Sequence, residues 1–185
     1  MAPPRKKILA AGKHLRMVSV GGWEFVERVG SSGVVAVVAV TDAHEIVLTE
    51  QFRRSVAGRV IDLPAGLIGD GKAFRDEQAT AAGQRELIEE TGYDATHFKV
   101  LGQSPTSPGL TSETVVFVRA TGLKKVAAGG GVDGEDITVH VVKIASAEAW
   151  LRRRAGLGVQ VDCKAYAGFY FATRTAAPRH KARKS

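Results

Sequence analysis

Residues 71–93 read GKAFRDEQATAAGQRELIEETGY, and this stretch decides the fold. From about Glu77 to Thr91 it is rich in Ala, Gln, Glu and Leu, which favour helix, and Gly92 stands where a left-handed cap costs least, so a helix with a defined end is predicted. On that helix Glu86 and Glu90 are four residues apart and Glu89 is three from Glu86, so their carboxylates occupy neighbouring positions on one face. Like charges at this spacing repel by roughly 0.3 kcal/mol per pair when exposed, and by more when partly desolvated. A hard divalent cation with oxygen ligands, Mg²⁺ or Mn²⁺, would turn the repulsion into coordination, whereas a solvated acidic face is the bland reading of the same letters. Arg85 and Glu89, at i,i+4, supply an ion pair that can hold one carboxylate in place. Gly83 inside the helix costs about 1 kcal/mol relative to Ala, and nothing in the sequence accounts for it.

Outward from this helix the period changes. Trp23 to Val29 alternates as a strand does, and Gly33 to Val40 followed by Glu45 to Thr49 reads as a hairpin around Thr41-Asp42-Ala43-His44. Val60 to Leu63 is a short strand stopped by Pro64. Beyond the helix, His97 to Leu101, Thr114 to Val118 and Ile137 to Ile144 read as strands, Ser146 to Arg154 as a helix capped by Ser146, and Lys164 to Arg174 as a last helix. Strands mixed with a few helices over about 170 residues give an α/β or α+β sandwich.

Composition bounds the function. At 185 residues, 44% hydrophobic and 24% charged, the chain suits one globular domain with a substantial core. Its longest apolar run, Val34 to Val40, is far short of the roughly 18 residues of a spanning helix, and no apolar leader follows the basic start. A single cysteine, Cys163, forms no internal disulfide or multi-cysteine zinc site, reads as a small packed side chain, and points to a reducing, cytoplasmic setting. The net charge of +7 resides in the tails. Arg5, Lys6, Lys7 and Lys13 lie in residues 1–14, and Arg174, Arg179, Lys181, Arg183 and Lys184 in 174–185. Without those nine, 17 cations face 19 acids, which argues against a nucleic-acid partner. The division expected is a basic flexible N-terminus over 1–14, a domain over 15–173 and a basic flexible tail over 174–185.

The spacing in residues 71–93 resembles the Nudix box: Gly71, five residues, Glu77, seven residues, then Arg85-Glu86-Leu87-Ile88-Glu89-Glu90-Thr91-Gly92-Tyr93. All identity-defined positions match, and only Tyr93 replaces the usual terminal aliphatic residue. A chance match in a chain of this length is on the order of one in ten million at average residue frequencies. The flanks, Thr49-Glu50-Gln51-Phe52-Arg53, Ile61-Asp62-Leu63-Pro64-Ala65-Gly66-Leu67 and Ser107-Pro108-Gly109-Leu110-Thr111-Ser112-Glu113, resemble the ADP-ribose pyrophosphatase branch of that family, as do Trp23 to Arg28 and Val161 to Tyr166.

The resemblance implies a Nudix-type α/β/α sandwich with a mixed sheet and a short N-terminal β region used for dimerisation. It implies a divalent-metal-dependent hydrolase that cleaves the diphosphate of ADP-ribose or a related nucleoside diphosphate sugar. Glu86 and Glu90 would be the principal metal ligands, with Glu89 close by and the Ala65 carbonyl adding a backbone oxygen, and Arg85 would belong to the same catalytic turn. Arg53 would grip the diphosphate, its planar donor fork suiting bidentate phosphate binding. Trp23 would stack on the nucleobase, Arg28 and Leu67 would lie along the ligand, and a homodimer partner would complete the base site. In Ala127 to Asp136 (AAGGGVDGED) the glycines allow a loop that moves over substrate or an inert connector. Glu135 is the best match to the general base of that loop, with Asp133 the alternative.

Gly66 precedes Gly71 by five residues, where one glycine usually serves both the Pro-Ala-Gly turn and the box, so the reach of Ala65 to a metal is left open. Asp62 stands where glutamate is common, and Glu113 suits either an outer metal shell or solvent. Two rivals stand beside the main reading: a pyrophosphohydrolase of oxidised nucleoside triphosphates, disfavoured by Arg53 and the Pro-Ala-Gly context, and a non-catalytic nucleotide-binding module, disfavoured by the intact carboxylates.

Overall fold

The computed structural model describes residues 5–69, 76–132 and 134–174. Gly71, Asp133 and all but the first residue of the expected C-terminal tail therefore lie outside the described residues.

Strand β4 (Gly33–Ala39) organises the molecule. Its sequence, GVVAVVA, is apolar at both odd and even positions, so both faces must be covered. Val35, Val37 and Ala39 pack with Ala82 and Leu87 of helix α1 (Ala79–Thr91) on one side. Ala36 and Val38 pack on the other side with Ile46, Leu48, Ile61 and Phe117, and with Ala147 and Leu151 of α2 (Ala147–Gly156). Helix α3 (Cys163–Thr173) adds Phe169 and Phe171 to the second core, giving helix, sheet and helix layers. Gly83 now has its reason. A Cβ there would come within 3.3 Å of methyl groups of both Val35 and Val37, so glycine lets α1 lie close against β4.

The expected hairpin after β4 is corrected in part. The turn closes, with Thr41 N–H donating to Glu45 O at 2.9 Å, but pairing stops after one bridge between Val40 and Ile46. The strands then enter different sheets, because each is apolar on both faces and becomes an inner strand. Strand β4 lies between β7 (Ala65–Ile68) and β9 (Thr114–Lys125), antiparallel to the first and parallel to the second, and β8 (Tyr93–Pro105) closes the order β7-β4-β9-β8. Strand β5 (Glu45–Arg53) joins β6 (Gly58–Asp62), β10 (Thr138–Lys143) and the two-residue β11 (Gln160–Val161) in the order β10-β5-β6-β11. Pro64 stops β6 as expected, yet the chain resumes pairing at once as β7, against β4.

The N-terminal expectation is also corrected. Lys6–Ala11 is strand β1, paired antiparallel with β2 (Leu15–Val20), which pairs with β3 (Trp23–Arg28) in a separate three-stranded sheet. Cations hide the strand in the sequence, but across the sheet Glu27 accepts from Lys6 at 2.6 Å and Arg16 at 2.7 Å. The hydrogen bond from Lys6, helped by that from Arg16, holds the Glu27 carboxyl below its ordinary range. Two smaller expectations also change. Ser146 does not cap α2 through its side chain, because a 3₁₀ turn precedes the helix and its hydroxyl donates to Lys143 O at 3.3 Å. Cys163, expected to be packed, is exposed at the start of α3. Among the described residues no helix is long and apolar enough to cross a membrane.

Candidate active site

The last turns of α1 and the start of β7 build the site together. Glu90 faces inward and is only 4% exposed, and its Oε2 accepts from the Ala65 N–H at 3.0 Å. Gly66 follows, and a Cβ there would collide with the Glu86 carboxylate. A larger residue at that point would push the Glu86 carboxylate out of the position it holds against the strand backbone. Ala65 and Gly66 thus lie directly against the helix carboxylates.

Arg85 holds the turn. It grips both Glu77 oxygens at 3.2 Å, Glu86 at 2.6 Å and the Leu67 carbonyl at 3.1 Å, while the expected i,i+4 partner Glu89 lies at 3.4 Å. Glu77, the first box carboxylate, is thus the clamp on Arg85 and not part of the inner group. Burial weakens the charged form of the guanidinium, but the bonds from Glu77 and the nearby Glu86 prevail and its pKa is raised.

The carboxylates themselves are electrostatically costly. Burial pushes the Glu90 carboxyl up to about 8; the Ala65 N–H opposes this, and the charges of Glu86, Glu135 and Asp62 add to it. Glu86 is raised by burial as well, with Arg85 opposing and Glu89 and Glu135 adding.

A cleft of about 860 Å³ opens beside this turn. Arg53, from the end of β5, Arg28, from the end of β3, Ala65 and Leu67 of β7, and Glu135 all line it, so four separate parts of the chain converge beside α1. Glu113 lies at the wall, bonded to Arg28 Nε at 2.7 Å, so it does not merely face solvent. The Glu135 loop is no free connector. Gly130 N–H donates to Glu90 O at 2.8 Å and Gly131 N–H to Glu89 O at 3.1 Å, so the loop satisfies carbonyls that the helix end leaves open.

Trp23 is not brought to this cleft. It is 63% exposed at the far end of β3 from Arg28, about 17 Å along the strand at ordinary strand rise.

A profile of the NUDIX domain matches residues 31–157. The chain belongs to the Nudix family. It is 37% identical over 123 residues to a methanol dehydrogenase activator of Bacillus methanolicus, and 34% identical over 123 residues to an ADP-ribose pyrophosphatase of Bacillus subtilis. Each match covers 66% of this chain and 63% of the relative's own length. A solved structure described as an ADP compounds hydrolase shares the Nudix fold seen here, with a TM-score of 0.64 at 20% identity over 80% of both chains.

Whether the Nudix carboxylates suit a metal is a question of donor chemistry. Among the described residues no three acidic, imidazole or thiol side chains already converge as a metal cage. Arg85 and the Ala65 N–H occupy oxygens of Glu86 and Glu90. Mg²⁺ keeps several waters and needs only one or two carboxylates, however, and the three glutamates and nearby backbone supply hard oxygen donors. Of the charged side chains lining the cleft, Asp62, Glu86, Glu89, Glu90, Glu113, Glu135 and Asp162 outnumber Arg28, Arg53, Arg85 and Lys164 by seven to four. The residues fit a divalent cation.

Two buried polar clusters of the fold escaped the sequence reading. Asp62 is buried, and Lys164 Nζ bridges it at 3.0 Å to Asp162 at 2.8 Å, while Asp162 caps α3 by accepting from the Lys164 N–H. Burial lifts the Asp62 carboxyl to about 6 against the pull of Lys164. Glu50, equally buried, binds Arg59, His140 and Arg154, which come from β6, β10 and α2. Only a local signal for Asp162, an Asp two residues before Lys164, was available to sequence.

Proposed function

We propose that this protein hydrolyses the diphosphate bond of ADP-ribose or a closely related nucleoside diphosphate sugar, giving a nucleoside monophosphate and a sugar phosphate. The observation that carries this reading is the excess of acid over base in a cleft that also holds Arg53 and Arg28. A diphosphate entering such a cleft adds two negative charges, so bound cations are needed to admit it.

In this reading Glu86 and Glu90, with Glu89 and the Ala65 carbonyl, hold Mg²⁺, with Mn²⁺ as a substitute. When bound, the metal supplies charge neutralisation at the phosphoryl oxygens and acidifies a coordinated water. Arg85 fixes the carboxylates, and Arg53 presents its planar fork to the diphosphate, where charge grows as the bond breaks. Glu135 accepts the proton of the attacking water. Water oxygen bonds to one phosphorus, the bridging P–O bond breaks, and its electron pair leaves with the other phosphate. From ADP-ribose the products are AMP and ribose 5-phosphate.

Arg28 and Leu67 lie along the substrate, and Trp23 serves the cleft of a second protomer. In support, Leu15 and Met17, two apart on β2, are both exposed, and Ile8 and Leu9 of β1 are exposed as well, apolar side chains that a homodimer would cover. The setting that fits is cytoplasmic.

The test is phosphate release, after phosphatase coupling, from ADP-ribose, GDP-mannose, UDP-glucose and 8-oxo-dGTP with Mg²⁺. Turnover of a nucleoside diphosphate sugar is expected. Preferential turnover of 8-oxo-dGTP would replace the reading with triphosphate hydrolysis, and turnover of none of them would overturn it.

A further inference from the structure

Tyr93 is the one residue at which the box departs from its pattern, and the structure gives its ring an occupant. Tyr93 and Lys125 are register partners across β8 and β9, and Lys125 Nζ lies 5.0 Å from the centre of the Tyr93 ring. An aromatic face attracts an ammonium at this distance, which an aliphatic side chain cannot do. The same ammonium donates to Thr91 O at 2.6 Å and to Ala128 O at 3.1 Å.

Those two carbonyls belong to different parts of the site. Thr91 ends the helix that carries Glu86, Glu89 and Glu90, and Ala128 opens the segment that leads to Glu135. Backbone bonds continue the seam: Val126 and Ala127 N–H groups both donate to Gly92 O, at 2.8 and 3.1 Å. At Gly129 a Cβ would collide with the Thr91 backbone, so the loop can lie this close only as glycine. Lys125 is the side chain that ties the two limbs together.

We propose that Tyr93 and Lys125 form a positioning clamp that sets the Glu135 loop against the carboxylate helix. Neither residue lines the cleft, so both act through Glu135. The inference rests on the reading of Glu135 as the group that takes the proton from water.

The experiment measures kcat and KM of the full chain with ADP-ribose at saturating Mg²⁺, for Lys125→Met, Lys125→Arg, Tyr93→Leu, Glu135→Gln and the double variant Lys125→Met with Glu135→Gln. A catalytic group displaced by a fraction of an ångström loses rate more than binding, so Lys125→Met should lower kcat about five- to tenfold with KM little changed. Lys125→Arg should restore most of it, and Tyr93→Leu should fall between. In the Glu135→Gln background, Lys125→Met should cost nothing further. An unchanged kcat in Lys125→Met and Tyr93→Leu, or an equal loss with and without Glu135, overturns the clamp while leaving Glu135 as the base. A wild-type kcat in Glu135→Gln overturns the reading of Glu135 and the clamp with it.

Discussion

Replacing Glu90 by Gln should make the metal-free protein more stable and leave it without turnover. The buried carboxyl has its pKa pushed to about 8 from an ordinary 4.5. Because the folded value is the higher one, the unfolded chain releases this proton first, so the group lowers stability progressively from about pH 4.5 and fully above about pH 8. A difference of roughly 3.5 pH units corresponds to about 5 kcal/mol at 1.36 kcal/mol per unit. An amide of the same shape removes that cost, less about 1 kcal/mol for the weaker bond from the Ala65 N–H. The net gain at pH 8 is about 4 kcal/mol, or a rise in Tm on the order of 10 °C for a domain of this size. At pH 5 the gain should nearly vanish. The assay is thermal unfolding by circular dichroism in EDTA at pH 5 and pH 8, alongside hydrolysis with Mg²⁺. A Glu90→Gln protein that melts at or below the wild-type temperature at pH 8, or that shows the same difference at both pH values, would refute the electrostatic reasoning. Retention of more than about a tenth of activity would contradict the role of Glu90 as a principal ligand, since that is a loss of only about 1.4 kcal/mol in the barrier.

Three further outcomes follow from the same geometry. Gly66→Ala should lower affinity for Mn²⁺ about tenfold or more and reduce activity, because the added methyl group displaces the Glu86 carboxylate; paramagnetic titration of Mn²⁺ reads this directly. Arg53→Lys should raise KM about tenfold with a smaller effect on kcat, since a point charge loses the bidentate grip on phosphate; steady-state kinetics separates the two. Trp23→Ala should raise KM without altering metal affinity, and a mixture with Glu90→Gln protein should recover substrate affinity in those cleft pairs that regain a partner's Trp23, if the partner supplies the ring; unchanged KM in Trp23→Ala refutes the stacking role.

The helix at the centre of the site was legible because its evidence is local. Spacing of three and four residues places Glu86, Glu89 and Glu90 together, and Gly92, with φ at 70°, ends the helix as the sequence indicates. Arg53, Arg28, Leu67 and Glu135 were found through the resemblance, and the fold does gather them in one cleft. What escaped depends on contacts of one segment with another, near or far. Strand β1 has no apolar alternation of its own and exists through pairing with β2. Lys164 and Asp62 are 102 positions apart in sequence, so no local pattern could place one against the other. Gly83 and Gly66 look like unexplained or merely conventional glycines until the valines of β4 and the carboxylate of Glu86 are seen beside them. The hairpin reading held for the turn and not for the strand pairing beyond it, for a related reason: local alternation identifies strands, whereas burial on both faces decides which strands share a sheet.

Crystals of the protein grown with Mn²⁺ and α,β-methylene ADP-ribose, whose carbon bridge resists hydrolysis, test the central assignment most directly. Anomalous scattering should place at least one manganese ion against Glu86 and Glu90, with the methylene-bridged diphosphate coordinated beside it and Arg53 in contact. Manganese bound elsewhere, or an analogue lying away from this helical turn, would contradict the assignment.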